Sequence, residues 1–225
     1  MKQNLYLKFV CVLGVALAFS SCKKWELKQP ASLSMNWKFN NTSTSNNAVQ
    51  INSGYFYASE FSLNGSREEG EDVSITKSII STKFSFSESN YLNFNIDVPM
   101  GDYTNFDVGI KLDNSQSESP IRLYGYFTKD SVTYPVKIEW VKLDLLQFHA
   151  INAFSLIRKN SYNLYICMDV QKLLDNISSN FWMSASMSME NGTPTLIVNE
   201  STNANLYSKI NTNLSSALTI QVEKQ

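Results

Sequence analysis

The sequence predicts an all-β protein, a single β-sandwich of about nine to eleven mostly antiparallel strands with two short helices. Three observations lead there. Apolar and polar residues alternate with a period of two along most of the chain beyond residue 33, the mark of strands buried on one face. Ser (31) and Asn (24) are abundant while Gly (8) and Pro (5) are scarce, so turns are made mostly by Asn, Ser and Asp. Finally, 43% of the 225 residues are hydrophobic and 17% charged, enough apolar surface to close a core and too little charge for a disordered chain. Strands that each bury one face need a second sheet to cover it, which makes a sandwich.

The elements follow in order. Leu33, Met35, Trp37 and Phe39 alternate with Ser34, Asn36 and Lys38 in a first strand, which ends in the turn-rich Asn40 to Asn47. A second strand places Val49, Ile51, Tyr55, Tyr57, Phe61 and Leu63 on one face. Asn64-Gly65 opens a loop to Asp72, and Val73 and Ile75 begin the return. Leu92, Phe94, Ile96 and Val98 form the next strand, Pro99-Met100-Gly101-Asp102 a turn, and Phe106, Val108, Ile110 and Leu112 its partner. Further strands read as Ile121 to Phe127, Tyr134 to Trp140, Leu143 to Ile151 and Tyr162 to Met168. Asp169 caps a short helix reaching about Ile177, and Phe181, Met183, Ala185, Met187 and Met189 alternate with Trp182, Ser184, Ser186 and Ser188 as another strand. Leu206, Ile210 and Leu214, spaced by four, mark a second helix within Asn203 to Leu214. No linker-like composition interrupts the run at Ser115 to Ser119, so residues 33–225 read as one domain.

The N-terminus is a targeting signal. Lys2 and Lys8 precede eleven uncharged residues, Phe9 to Phe19, and the small residues Ser20 and Ser21. As a helix that segment reaches about 16 Å, against about 30 Å of hydrocarbon, so residues 1–21 are a cleavable leader rather than a membrane span. Phe19-Ser20-Ser21-Cys22 resembles the end of a bacterial lipoprotein signal, which implies that Cys22 is diacylated and becomes the mature N-terminus, with residues 22–32 as a lipid-anchored tether. By the same resemblance Lys23, where Asp would retain the protein in the inner membrane, implies the outer membrane. The Lys23-Lys24-Trp25-Glu26 stretch, poor in acids, implies a periplasm-facing position. Loss of Lys2 and Lys8 moves the formal charge from -1 to -3. Neither value gathers nucleic acid. With Cys11 leaving in the leader and Cys22 acylated, as the resemblance implies, Cys167, within the apolar Tyr165-Ile166-Cys167-Met168, has no partner for a bridge and reads as a buried thiol.

Few residues carry chemistry. His149 is the sole histidine and no Gly-x-Ser-x-Gly elbow exists, so the chain is read as non-enzymatic and without a cofactor. Soft thioethers at Met183, Met187 and Met189, with His149, are a candidate copper(I) set, although the alternation of the methionines fits a half-buried strand better. Four carboxylates in Arg67 to Asp72 match no calcium loop and read as a solvated hairpin tip, which as an exposed loop could contact an envelope partner. Asp102 and Asp107, five apart on a strand, point to opposite faces and make no acid/base pair. Arg122, Tyr124 and Tyr126 share the face opposite Ile121, Leu123 and Phe127. Two rings and a guanidinium side by side are a candidate glycan-stacking row. Asp130-Ser131-Val132 matches the short Asp-Ser/Thr-apolar pattern of periplasmic O-glycosylation in Bacteroidota, with Ser131 as the acceptor.

Ser34 to Asn40, Ile51 to Leu63, Val98-Pro99-Met100-Gly101-Asp102-Tyr103, Leu123-Tyr124-Gly125-Tyr126 and Met168-Asp169-Val170-Gln171-Lys172-Leu173-Leu174 together resemble lipid-anchored β-sandwich proteins of the Bacteroidota envelope. Their order is also distantly similar to MbnP-like domains, which are associated with copper handling. The histidines on which those domains rely are absent here beyond His149. The resemblance implies an envelope lipoprotein acting as a non-catalytic binding or interaction module, with a protein or glycan partner.

Overall fold

The computed structural model describes residues 30–40, 49–87 and 89–225. The predicted leader, Cys22, most of the tether and the turn from Asn41 to Asn47 lie outside the described residues. Among them are thirteen strands: β1 (Ala31–Asn40), β2 (Val49–Arg67), β3 (Val73–Phe86), β4 (Ser89–Val98), β5 (Gly101–Leu112), β6 (Ile121–Lys129), β7 (Val132–Trp140), β8 (Leu145–Ala150), β9 (Phe154–Leu156), β10 (Ser161–Asp169), β11 (Ser188–Glu190), β12 (Thr193–Val198) and β13 (Leu218–Lys224). Three helices accompany them: α1 (Val170–Leu173), α2 (Ser179–Met183) and α3 (Ala204–Ala217). The all-β class holds, but strands and helices both outnumber the expectation. The expectation does not name β9, β12 or β13, nor α2; of these, the three-residue β9 and the five-residue α2 are too brief for a periodic pattern to declare them.

Hydrogen bonding links the strands in the order β11-β12-β7-β6-β2-β5-β8-β13-β10-β1-β4, with β3 on β2 and β9 on β5. Most pairs are antiparallel. The exceptions are β1 with β10, β12 with β7, and the two-residue pairing of β13 with β8. The sheet rolls over on itself. Trp37 of β1 packs on Phe56 of β2, Phe86 of β3 and Phe148 of β8, and Phe94 of β4 meets Phe61 of β2. Strands far apart in the hydrogen-bonded order thus share one apolar core.

β2 makes the roll. Its residues 49–56 pair with β6, residues 58–67 pair with β5, and β3 runs along the other edge. Register shifts between Ile51 and Ser53 and between Ala58 and Glu60 divide it. Each shift changes which face a given parity occupies, since side chains alternate strictly between faces. Val49 and Ile51 point inward, then Phe56 and Ala58, then Phe61 and Leu63. Tyr55 and Tyr57, expected on the buried face with them, stand on the outer face instead.

Turns depart from expectation in one place. Asn64-Gly65 does not turn; both residues lie within β2, and Gly65 sits against the Tyr103 ring. The chain reverses over residues 68–72, where the Arg67 guanidinium donates to Glu71 O and, across the sheet, to Met100 O at 2.9 Å. One side chain therefore ties the β2–β3 and β4–β5 turns together, and the acidic tip beyond it is exposed as expected.

Helices α1 and α3 pack on each other, α1 against β1 and α3 against β10, β12 and β13. Asp169 caps α1, its carboxylate accepting from Lys172 N at 3.1 Å, as its position predicts. In α3 the expected Leu206, Ile210 and Leu214 are buried. Asn203, at φ 55°, precedes the helix in the left-handed conformation that Asn tolerates. Its side chain bonds Ser186 N, Ser186 O and Ile197 O, pinning the α3 start to the segment before β11 and to β12 itself. The strand expected over Phe181 to Met189 is instead helix α2 followed by a connection and β11. Trp182, read as outward, is buried against Phe127.

Cys167 is 1% exposed on β10, as read from its apolar neighbours. Burial pushes its thiol up to about 11. In the native protein at pH 8, a thiol-specific reagent is expected to label Cys167 only as fast as the fold opens, whereas denatured protein labels at once; immediate native labelling would contradict this. Because the fold favours the neutral thiol, this contribution to stability is complete below the unfolded thiol's range and is lost as pH climbs through about 11.

Candidate functional site

The outer face of β2, β3, β6 and β7 gathers the largest group of aromatic and charged side chains named so far. Cross-strand register builds it. Tyr55 faces Arg122, which faces Glu139, while Tyr124 faces Lys137 and Tyr57 faces Lys83. Directly opposed residues share a face, so the two bulge-shifted tyrosines of β2 join the predicted row on β6.

Within this group Arg122 is not free for a ligand. Its Nε lies 2.6 Å from Glu139 Oε1, with both side chains mostly buried, and its Nη1 donates to the Tyr124 hydroxyl at 3.3 Å. Asn199 Nδ2 holds the second Glu139 oxygen at 3.1 Å. Burial works against the Arg122 charge, but the Tyr124 hydrogen bond and the Glu139 carboxylate raise its pKa above the usual guanidinium range. Tyr55 is 2% exposed, its ring between Tyr57 at 5.5 Å and Tyr124 at 6.1 Å, with Lys83 Nζ 4.0 Å over it. Burial raises the Tyr55 phenol well above the usual range although Arg122 pulls the other way. Along the rim, the Tyr57 hydroxyl and Lys83 both donate to Glu118 Oε2 at 2.6 Å, and Lys83 holds that carboxyl below its ordinary range.

The result is a fixed platform with one open end. Tyr126 is 49% exposed and continues the row beyond Tyr124, flanked in register by Gln50 and Pro135. Of the three predicted residues, then, Arg122 is a structural ion pair, Tyr124 is half-buried support, and Tyr126 presents a ring to solvent. Sequence reading missed Tyr55, Tyr57, Glu139 and Lys83. The tyrosines were hidden by the β2 bulges, and the charges are visible only once strand register is known.

The candidate copper residues do not lie along one strand. Met183 ends α2, Met187 packs partly buried against the core and Met189 is 70% exposed on β11. His149 lies on β8, with five strands between it and β11 in the hydrogen-bonded order. Its Nδ1 instead lies 2.6 Å from Asp107 Oδ1 on the exposed outer face. Asp107 and Asp102 point to the same face, contrary to their spacing, because a register shift in the β5 pairing with β2 near Thr104 changes the parity between them. They remain separate: Asp102 accepts from Ser155 Oγ. No group of three His, Cys, Asp or Glu among the described residues could hold a metal ion.

Ser131 stands exposed at the tip of the β6–β7 hairpin. Asp130 and Ser131 have φ 50° and 65°, as a two-residue type I′ turn requires. No helix among the described residues is long and apolar enough to cross a membrane. No protein-family model, curated protein or solved structure matches the chain.

Proposed function

We propose that the protein is a lipid-anchored outer-membrane protein facing the periplasm, and that its β-domain is a non-catalytic binding module whose contact surface is the outer face of β6. One observation carries the second part. Tyr126 is a half-exposed ring at the end of a tyrosine row whose inner members are immobilised by rings and ion pairs. A ring held by a fixed support loses little freedom when a flat partner stacks on it, and Gln50 beside it offers an amide to neighbouring hydroxyls. A glycan suits that surface.

On immobilised envelope and dietary-type glycans, the mature domain is expected to be retained, and a Tyr124→Ala/Tyr126→Ala variant to lose at least about tenfold in affinity, the equivalent of about 1.4 kcal/mol. Equal retention of both proteins on every glycan would end the reading. The anchor is tested separately in cells. Wild type is expected in the detergent-soluble membrane fraction with a lipid-dependent mass increment. A Cys22→Ser variant that remained membrane-bound at wild-type yield without lipid would refute it.

A further inference from the structure

The chain contains two Asn-Gly dipeptides, and the fold treats them oppositely. Asn64-Gly65 lies inside β2, with Asn64 opposite Ser74 of β3 and Asp107 of β5, and Gly65 opposite Val73 and Phe106. Ladders on both sides hold that backbone extended. Asn64 Oδ1 accepts from Ser74 Oγ at 2.8 Å, and Gly65 is buried against the Tyr103 ring. Asn191-Gly192, by contrast, is the whole of the turn between β11 and β12, closed by the Glu190–Thr193 pair. Both residues are exposed, with φ 49° and 82° as a type I′ turn requires, and nothing lies within 4 Å of where a Cβ on Gly192 would stand. β11 has only three residues and ends the hydrogen-bonded order, so the turn is held from one side by a short ladder.

An asparagine side chain is open to attack by the backbone nitrogen that follows it, which is why Asn is a thermolabile residue. Closing that five-membered ring brings Cβ, Cα, C and the following nitrogen close to one plane. For an L-residue this sets ψ near about −120°, the value at the first central residue of a type II′ turn, where φ is also positive. Types I′ and II′ both serve two-residue hairpins. Asn191 already has a positive φ, so turning over the Asn191–Gly192 peptide reaches the reactive geometry while β11 and β12 stay paired. Glycine takes either sign of φ without steric cost and sets no Cβ beside the attacking nitrogen. At Asn64 the same rotation would break ladder bonds on both sides of β2. We propose that Asn191 is a site of spontaneous covalent modification, converted through a cyclic imide with Gly192 into aspartate and isoaspartate. The Gly192 nitrogen gives up its proton and bonds to Asn191 Cγ, the bond from Cγ to the side-chain nitrogen breaks, and ammonia leaves. Water then opens the imide, at Cγ to give aspartate or at the backbone carbonyl to give isoaspartate. No oxidant or cofactor is consumed. Either product places a new carboxylate beside Glu190, which holds Lys137 in an ion pair, and isoaspartate adds one carbon to the backbone of a turn that has no slack.

The test incubates the folded protein in warm, mildly alkaline buffer, with a parallel sample in urea, and maps both by proteolysis and mass spectrometry over time. In the folded protein the peptide holding Asn191-Gly192 is expected to gain about 1 Da and to split into two chromatographic peaks of equal mass, aspartate and isoaspartate. The Asn64-Gly65 peptide is expected to stay unmodified there. In urea, where neither dipeptide is held, both are expected to react at similar rates. Gly192→Ala, which sets a methyl group beside the attacking nitrogen, is expected to slow the reaction at Asn191 about tenfold in both samples. Reaction at Asn191 in urea but not in the folded protein would show that the turn protects the residue and would overturn the proposal. So would equal rates at Asn64 and Asn191 in the folded protein, since the contrast between strand and turn would then count for nothing. Aspartate without isoaspartate, or a rate unchanged by Gly192→Ala, would exclude the cyclic imide.

Discussion

Replacing Trp37 with alanine is expected to lower stability by about 3–5 kcal/mol, enough to bring the melting temperature down by roughly 10 °C or more for a domain of this size. Its ring is 1% exposed and lies 5.0 Å from Phe56, 4.8 Å from Phe86 and 5.8 Å from Phe148. Those rings come from the paired β2 and β3 and from β8, none of them hydrogen-bonded to β1, so the cavity left by Trp37→Ala opens where the rolled sheet meets itself. Trp37→Phe is expected to cost much less. The indole Nε1 is buried without a partner, and phenylalanine removes that orphan donor along with part of the ring. Urea denaturation of the two variants separates these contributions. A loss below about 1 kcal/mol for Trp37→Ala would show that the β1–β2–β8 contact does not hold the roll closed.

Gly125→Ala is expected to be nearly as damaging, at about 3 kcal/mol, the upper end of overpacking costs. An added Cβ would overlap the Gln50 carbonyl oxygen and lie 2.8 Å from both Gln50 C and Ile51 Cα. All three are backbone atoms, so no rotamer change relieves the contact. The collision falls beside the Ile51/Ser53 register shift, where β2 approaches β6 closely. Forcing the strands apart there displaces Tyr124 and Tyr126 on either side of the glycine, and glycan retention should fall with stability. Gly192→Ala serves as the comparison. Its φ is 82° but nothing lies within 4 Å of the new Cβ, so only backbone strain, about 1 kcal/mol, is expected. Similar melting temperatures for the two variants would refute the close approach.

How far the sequence was legible depends on where alternation stays in phase. β1, β6, β7 and β10 carry no internal change of parity in their own chain, and apart from Asn36 and Cys167 their buried residues fall where period two puts them. β2 contains two register shifts, and reading it as one uninterrupted pattern put Tyr55 and Tyr57 on the wrong side. The same cause misled for Asp102 and Asp107. Phe181 to Met189 misled differently: five apolar residues alternate there by composition, yet the segment is too short to resist its surroundings, and burial of Trp182 against Phe127 turns its first half into a helix. Asp169 and Leu206-Ile210-Leu214 were readable because a capping carboxylate and an i, i+4 stripe are local signals. The Arg122–Glu139 and His149–Asp107 pairs were not, since each depends on which strands lie side by side.

β3 has a bearing on how the protein behaves in a crowded compartment. It offers fourteen residues as an edge strand, paired only with β2 among the described residues, and a flat edge of that length invites another chain to zip onto it. The edge is not flat. Between Thr82, opposite Ala58, and Ser78, opposite Glu60, β3 carries Ile79, Ile80 and Ser81 against the single Ser59. Ile80 juts out 91% exposed from this bulge, with Lys77 and Lys83 placed before and after it. An incoming strand would meet two short stretches out of phase with one another. The irregularity that exposes a large apolar residue therefore also breaks the continuous ladder that edge-to-edge pairing between copies would need.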